Sequence, residues 1–224
     1  MKIRLRNGRP HQFSPDPEYV VKEQHLLEVL KDVGQNQGTK IAVFMDEFSY
    51  YHWPLPGPNW VPMTLPAPIA THATPGERRQ RVIGCLNVDT GKVIFIQGAK
   101  TGCDKLNQFY RIIAQEYSEA ETIYVIQDNW PVHFNPKVMS VVNELQRIEL
   151  VRLPTYSPWL NPIEKLWLWT KERILKMHRN AGNWANVKQT VSDFLQQFSN
   201  GSQYLLYRVG LRGDGKLAQA FQTY

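Results

Sequence analysis

Residues 41–45 form an unbroken apolar run, Ile41, Ala42, Val43, Phe44 and Met45, closed by the acids Asp46 and Glu47. A strand with one wet face alternates, whereas a run that is apolar at every position has to be covered on both faces. The chain must therefore lay helices on both sides of a sheet. A second run, Ile123, Tyr124, Val125 and Ile126, closes in the same way on Asp128.

The remaining elements follow from spacing. Strands are expected over 39–46, 82–88, 92–97, 122–127 and 148–153, with Asp89-Thr90-Gly91 as the turn of a hairpin. Apolar residues at helical intervals predict helices over 17–33, 103–117, 136–146, 162–177 and 184–198, with a loop over 131–134. Three antiparallel strands followed by alternating helices and strands give an α/β arrangement, one mixed five-stranded sheet flanked by helices. That order resembles a ribonuclease-H-like fold. The expected division is a basic tail and leading helix over 1–38, the sheet-bearing domain over 39–200, and a short tail over 201–224. A loop over 53–80 interrupts the domain, and seven of the fifteen prolines fall within 53–76, together with Trp60 and His72. Neither a helix nor a central strand tolerates that proline density.

Composition narrows the class. At 224 residues with 42% hydrophobic and 21% charged residues, the chain can bury a core and does not have the composition of a disordered protein. The formal charge of +6 favours an anionic partner such as nucleic acid. Cys85 and Cys103 are the only cysteines, too few for a disulfide framework or a zinc cluster. No apolar run approaches the roughly 18–20 residues that span a bilayer, and no hydrophobic segment follows the basic start, so a cytoplasmic protein without a membrane partner is expected.

Asp46 and Asp128 each close an apolar strand, the usual place for a site in an α/β sheet. If the two strands are neighbours, the aspartates stand one strand spacing apart, about 5 Å. Buried carboxylates at that distance repel unless a cation sits between them. Glu164 is the third candidate, at the start of a helix. Magnesium, or manganese, fits three such oxygen donors, and a pair of ions suits an in-line displacement at phosphorus. Each acid also has a simpler explanation. Asp46 can end a strand as a turn former, and Asp128-Asn129 can form an Asx turn. Asn161, Pro162 and Glu164 read as N-cap, first helical residue and third helical residue of a variant capping box. Glu47 rivals Asp46, but alternation turns it to the opposite face.

Other residues are placed around these. Asn129, His133 and Asn161 are supporting candidates, with His133 able to orient a carboxylate. Possible DNA contacts are Arg4, Arg6 and Arg9 in the basic tail, Arg78 and Arg79 before the hairpin, Trp130 in a site loop and Lys165 on the site helix. Gly8-Arg9-Pro10 resembles the core of a minor-groove hook but lacks an arginine at Asn7.

Two blocks carry a family likeness. Asp128-Asn129-Trp130-Pro131-Val132-His133 and Ser157-Pro158-Trp159-Leu160-Asn161-Pro162-Ile163-Glu164, with 35 residues between Asp128 and Glu164, resemble the catalytic domain of DDE transposases, and most closely bacterial insertion-sequence transposases of the mariner superfamily. The likeness covers roughly 39–180. It implies magnesium-dependent cleavage at transposon ends followed by strand transfer into target DNA, with Asp46, Asp128 and Glu164 in the three catalytic positions. It also implies a homodimer assembled on DNA at the bacterial nucleoid, a clamp at the position of the 53–76 loop, and a separate N-terminal helix-turn-helix part that recognises the ends. Two other readings remain open: a ribonuclease-H-like nuclease that joins nothing, and a decayed or incomplete transposase that only binds DNA.

Overall fold

In a computed structural model of the chain, residues 13–58, 60–66, 69–70, 78–180 and 182–222 are described. Arg4, Arg6, Arg9 and His72 lie outside the described residues.

The five strands are β1 (Lys40–Tyr51), β2 (Arg79–Asn87), β3 (Val93–Gly98), β4 (Thr122–Gln127) and β5 (Ile148–Arg152). They form one sheet in the order β3-β2-β1-β4-β5. β1, β2 and β3 run antiparallel, and β4 and β5 join parallel to β1. The apolar run of β1 is covered on both faces. Ala42, Phe44, Phe48 and Tyr50 enter one buried cluster, and Val43 and Met45 enter the other. The second cluster is closed by α2 (Cys103–Glu116) and α3 (Pro136–Glu144) through Leu106, Phe109, Ile113, Val138 and Val142. The first is closed by α1 (Tyr19–Gln35), α4 (Ile163–Thr170) and α5 (Trp184–Gln196), with Leu26, Leu30, Leu166, Val191 and Leu195 buried in it.

Four expectations are corrected. First, β1 does not end at Asp46. Its pairing with β4 reaches Phe44 opposite Ile126, but its pairing with β2 continues to Tyr51 opposite Arg79. Asp46 therefore sits inside a strand, just past the point where the parallel neighbour stops. Second, the described residues of the stretch 201–224 are not a tail. They form α6 (Gln203–Val209) and α7 (Lys216–Gln222), whose Leu205, Leu206, Val209, Leu217 and Phe221 lie in the first cluster, with α7 packed on α1. Third, Pro131–Phe134 is a 3-10 turn rather than a loop. Fourth, the helix expected to reach Met177 widens after Thr170 into a π-helical turn, Lys171–Leu175. Thr170 Oγ1 donates back to the Leu166 carbonyl at 2.8 Å just before that change, a bond that bends helices.

The proline-rich excursion is tied down at its base. Leu55 N–H donates to the Leu175 carbonyl at 2.8 Å, and Met177 N–H donates to the Leu55 carbonyl at 3.0 Å. Among the described residues no helix is long and apolar enough to cross a membrane.

Candidate active site

The β1–β4 register sets the two aspartates side by side. Lys40 faces Thr122 and Phe44 faces Ile126, so two more steps bring Asp46 level with Asp128, about one strand spacing away. Asp46 follows Phe44 onto the face covered by α4. There Trp167 Nε1 donates to Asp46 Oδ2 at 3.1 Å. The indole reaches the sheet because Gly84 stands opposite Asp46 on β2. A Cβ at that position would come within 2.7 Å of the Trp167 ring. The ring also stacks on Phe48 at 5.4 Å between centroids.

Asp128 closes β4 with its side chain exposed. Its Oδ1 accepts the Trp130 N–H at 2.9 Å, so the Asx turn forms, and His133 Nε2 stands 3.5 Å from the same oxygen. The turn and the site role do not exclude each other, because the other oxygen remains available. Burial pushes the pKa of this carboxyl up, but His133 and the Trp130 N–H outweigh it and hold the group below the usual carboxylate range.

Glu164 lies in the first turn of α4 with its side chain exposed. The capping-box explanation fails. Pro162 is the N-cap, Asn161 offers only its backbone carbonyl to Glu164 N–H at 3.1 Å, and the Asn161 side chain caps nothing. Asn161 is instead buried, with Oδ1 lacking a hydrogen-bond partner. It follows directly on a 3-10 turn, Pro158–Leu160.

The three acids act on each other. Burial pushes Asp46 well above the usual range, and the charges of Glu47, Glu164 and Asp128 push the same way. Burial and the charge of Asp128 raise Glu164, against the opposing pull of Lys171. Glu164 borders two openings. One, of about 430 Å³, is walled by Asp128, Trp130, Thr155 and Tyr156, and the other, of about 500 Å³, by Asp46, Trp167 and Lys171. Among the described residues no group of three or more His, Cys, Asp or Glu side chains is disposed to hold a metal ion as the side chains lie.

Glu47 turns to the opposite face from Asp46, as alternation requires, but it does not leave the neighbourhood. His133 is fully buried, with Nε2 3.7 Å from Glu47 Oε1 and 3.5 Å from Asp128 Oδ1. Burial depresses this imidazole, yet the two carboxylates outweigh it and raise it to about 9.

The other expected residues divide. Asn129 Nδ2 donates to the Leu153 carbonyl at 2.7 Å and to Thr155 Oγ1 at 3.2 Å, which ties the end of β4 to the loop after β5. Trp130 lines the smaller opening and meets His133 edge-on at 5.4 Å. Arg78 and Arg79 are exposed but stand at the far end of β1, where Arg79 pairs with Tyr51, about 17 Å along the strand from Asp46. Lys165 is taken up elsewhere: its Nζ donates to the Val209 carbonyl at 2.7 Å, at the end of α6 where Gly210 turns left-handed with φ 86°. A second exposed cation on the opening beside Glu164 is Lys171, which sequence reasoning missed although it lies seven residues on, two turns along the same helical face.

Residues 42–188 match the DDE superfamily endonuclease family. The insertion element IS630 uncharacterized 39 kDa protein of Shigella sonnei is 25% identical over 179 residues, 80% of this chain and 51% of that protein. The chain thus spans about half the length of this curated relative. Among solved structures, the Mos1 mariner paired end complex with Mn superposes with a TM-score of 0.65 at 15% identity, covering 100% of this chain and 69% of that one. The Mos1 strand transfer complex gives a TM-score of 0.61 at 14% identity, covering 100% of this chain and 67% of that one. Both likenesses concern the fold, a ribonuclease-H-like mixed sheet with flanking helices. By the match across its sheet and site helix, the chain belongs to the DDE superfamily endonucleases.

Proposed function

We propose that this chain is the catalytic part of a transposase that cuts DNA at transposon ends and joins the released ends to target DNA. The observation that carries the reading is the β1–β4 register that sets Asp46 level with Asp128, together with the openings that Glu164 of α4 shares with each of them. Family membership supports it, as does the fold shared with Mos1 complexes described as paired end and strand transfer complexes.

The donor set fits divalent magnesium or manganese, and we propose two ions. All three donors are hard oxygens, and two of them are held above the usual range by burial and by negative neighbours, a strain that a cation relieves. Asp46, Asp128 and Glu164 would hold the ions. When bound, such ions activate the attacking oxygen and stabilise the leaving oxygen of an in-line displacement. The chain's own residues do the rest. Trp167 fixes one Asp46 oxygen. His133 and the Trp130 N–H hold Asp128 in its ionised form. Lys171, exposed beside Glu164, attracts a backbone phosphate into the groove. Trp130 and Tyr156 wall the adjoining opening, where a base of the cut strand can stack.

The proposal includes assembly as a homodimer on DNA and end recognition by a separate helix-turn-helix part, in the cytoplasm at the bacterial nucleoid. The paired end complexes of Mos1 support the first of these.

The test is strand joining. Labelled duplexes carrying the element's own pre-cut ends, with free 3′ hydroxyls, are incubated with a target plasmid and Mn2+. Label joined covalently to the plasmid is expected. Plasmid nicking without joined label would replace the reading with a nuclease, and stable DNA binding without either would replace it with a binding fragment.

A further inference from the structure

The segment leading into α1 grips the loop that carries the site. Ser14 Oγ donates to the Thr155 carbonyl. The Asp16 carboxylate accepts the Thr155 N–H at 2.8 Å, the Glu18 N–H at 2.9 Å and Lys22 Nζ at 2.9 Å, and its side chain is only 2% exposed. One turn later the Tyr19 hydroxyl accepts Trp159 Nε1 at 3.0 Å and donates to Glu23 Oε1 at 3.2 Å.

These contacts fall at two informative points. Thr155 is held from outside by Asp16 and from inside by Asn129, the residue next to Asp128. Trp159 lies in the 3-10 turn that leads to Glu164. Between them, Tyr156 takes a φ of 53°, a left-handed conformation that a residue with a side chain keeps only when its surroundings hold it. Of these bonds only the one from the Glu18 N–H is local to the start of α1; the bonds to Thr155 and Trp159 span about 140 residues of sequence and serve the loop.

We propose that Asp16 is a positioning residue for the reaction. Through Thr155, and with Tyr19 acting on Trp159, it fixes residues 153–160 and so sets Glu164 relative to Asp128. The inference rests on the catalytic reading of the carboxylates, but its structural half can be measured without activity.

The experiment compares the full chain with Asp16→Asn, Tyr19→Phe and a control, Glu23→Gln. The control removes the α1–α7 ion pair of Glu23 with Lys216. It retains the carboxamide oxygen as an acceptor for Tyr19. Two readouts are taken: amide hydrogen exchange of peptides covering 153–160 and covering α1, and single-turnover cleavage with its Mg2+ dependence. In Asp16→Asn, faster exchange in 153–160 with α1 still protected is expected. The cleavage rate should fall about tenfold or more, with more Mg2+ needed for half-maximal rate and DNA affinity unchanged, because small misplacements of reacting groups carry such penalties. Tyr19→Phe should shift the same readouts less and still fold, so it carries the test if Asp16→Asn does not fold. The control should change neither readout at 153–160 nor the rate. Unchanged exchange and rate in both loop variants would overturn the proposal, as would an equal effect in the control. If the unaltered chain cleaves nothing while loop exchange responds as expected, the catalytic reading fails and the brace stands.

Discussion

Trp167 Nε1 donates to Asp46 Oδ2 at 3.1 Å, three residues along α4 from Glu164. One helical face therefore delivers a carboxylate and the donor that orients its partner. Trp167→Phe keeps an aromatic ring on Phe48 but removes the N–H. Single-turnover cleavage should fall about tenfold, equivalent to roughly 1.4 kcal/mol of barrier. Lost volume should lower stability by about 1–2 kcal/mol. The acid limb of the pH–rate profile should also move up, because Asp46 loses a donor that favours its ionised form. A rate change with no shift in the profile would make Trp167 a packing residue only.

Gly84→Ala tests the same contact from the other side. The new methyl would stand 2.7 Å from Trp167 Cη2, part of a rigid ring already stacked on Phe48. The expected loss is about 1–3 kcal/mol in denaturant unfolding, as for other overpacked sites. Cleavage should fall with it.

Lys171 and Lys165 should behave oppositely. Lys171→Gln should weaken DNA binding and lower the salt dependence of log K by about 1, as loss of one phosphate contact does. Lys165→Met should leave that slope alone and cost about 1 kcal/mol of stability, because its ammonium closes the end of α6. Binding titrations across a salt series, with melting of each variant, check both.

Acid should loosen the attachment of α1. The Thr155 N–H, with Lys22 next in size, holds Asp16 well below the usual carboxylate range. A carboxyl depressed in the folded state contributes stability in full above its unfolded value, about 3.9, and loses it as pH falls further. The stability of the unaltered chain should drop more steeply below about pH 4 than that of Asp16→Asn, and the two curves should run parallel from pH 5 to 7. Urea unfolding at a series of pH values measures this.

Much of the fold was legible because burial leaves a periodic signature. The runs ending at Asp46 and Asp128 mark strands covered on both faces, and α1 to α5 show apolar residues at helical spacing. The extension of β1 was not legible. Residues 47–51 find their partner in β2 only after an excursion of more than two dozen residues, and no local pattern announces such a pairing. α6 and α7 are seven residues each, two turns apiece, too short for a period to stand out. Asp128 and Glu164 were singled out from their blocks, and both line one opening. The place of Glu47 beside His133 was not legible, because it depends on a 3-10 turn folding the histidine back under β1. Asn161 reads as a cap by its position before Pro162 and Glu164, but the helix starts one residue later and its Oδ1 is buried without a partner. Asp16 stood in a segment read as a basic tail leading into a helix. Its partner is 139 residues away, which no spacing rule reaches.

The most direct measurement is nicking of a supercoiled plasmid carrying the element's own ends, with Mg2+ or Mn2+, by the unaltered chain and by Glu164→Gln. Metal-dependent nicking that vanishes in the variant, while DNA binding and melting temperature are retained, is the expected result. Nicking that persists in Glu164→Gln, or that proceeds equally without divalent metal, would contradict the assignment of Asp46, Asp128 and Glu164 as the catalytic group.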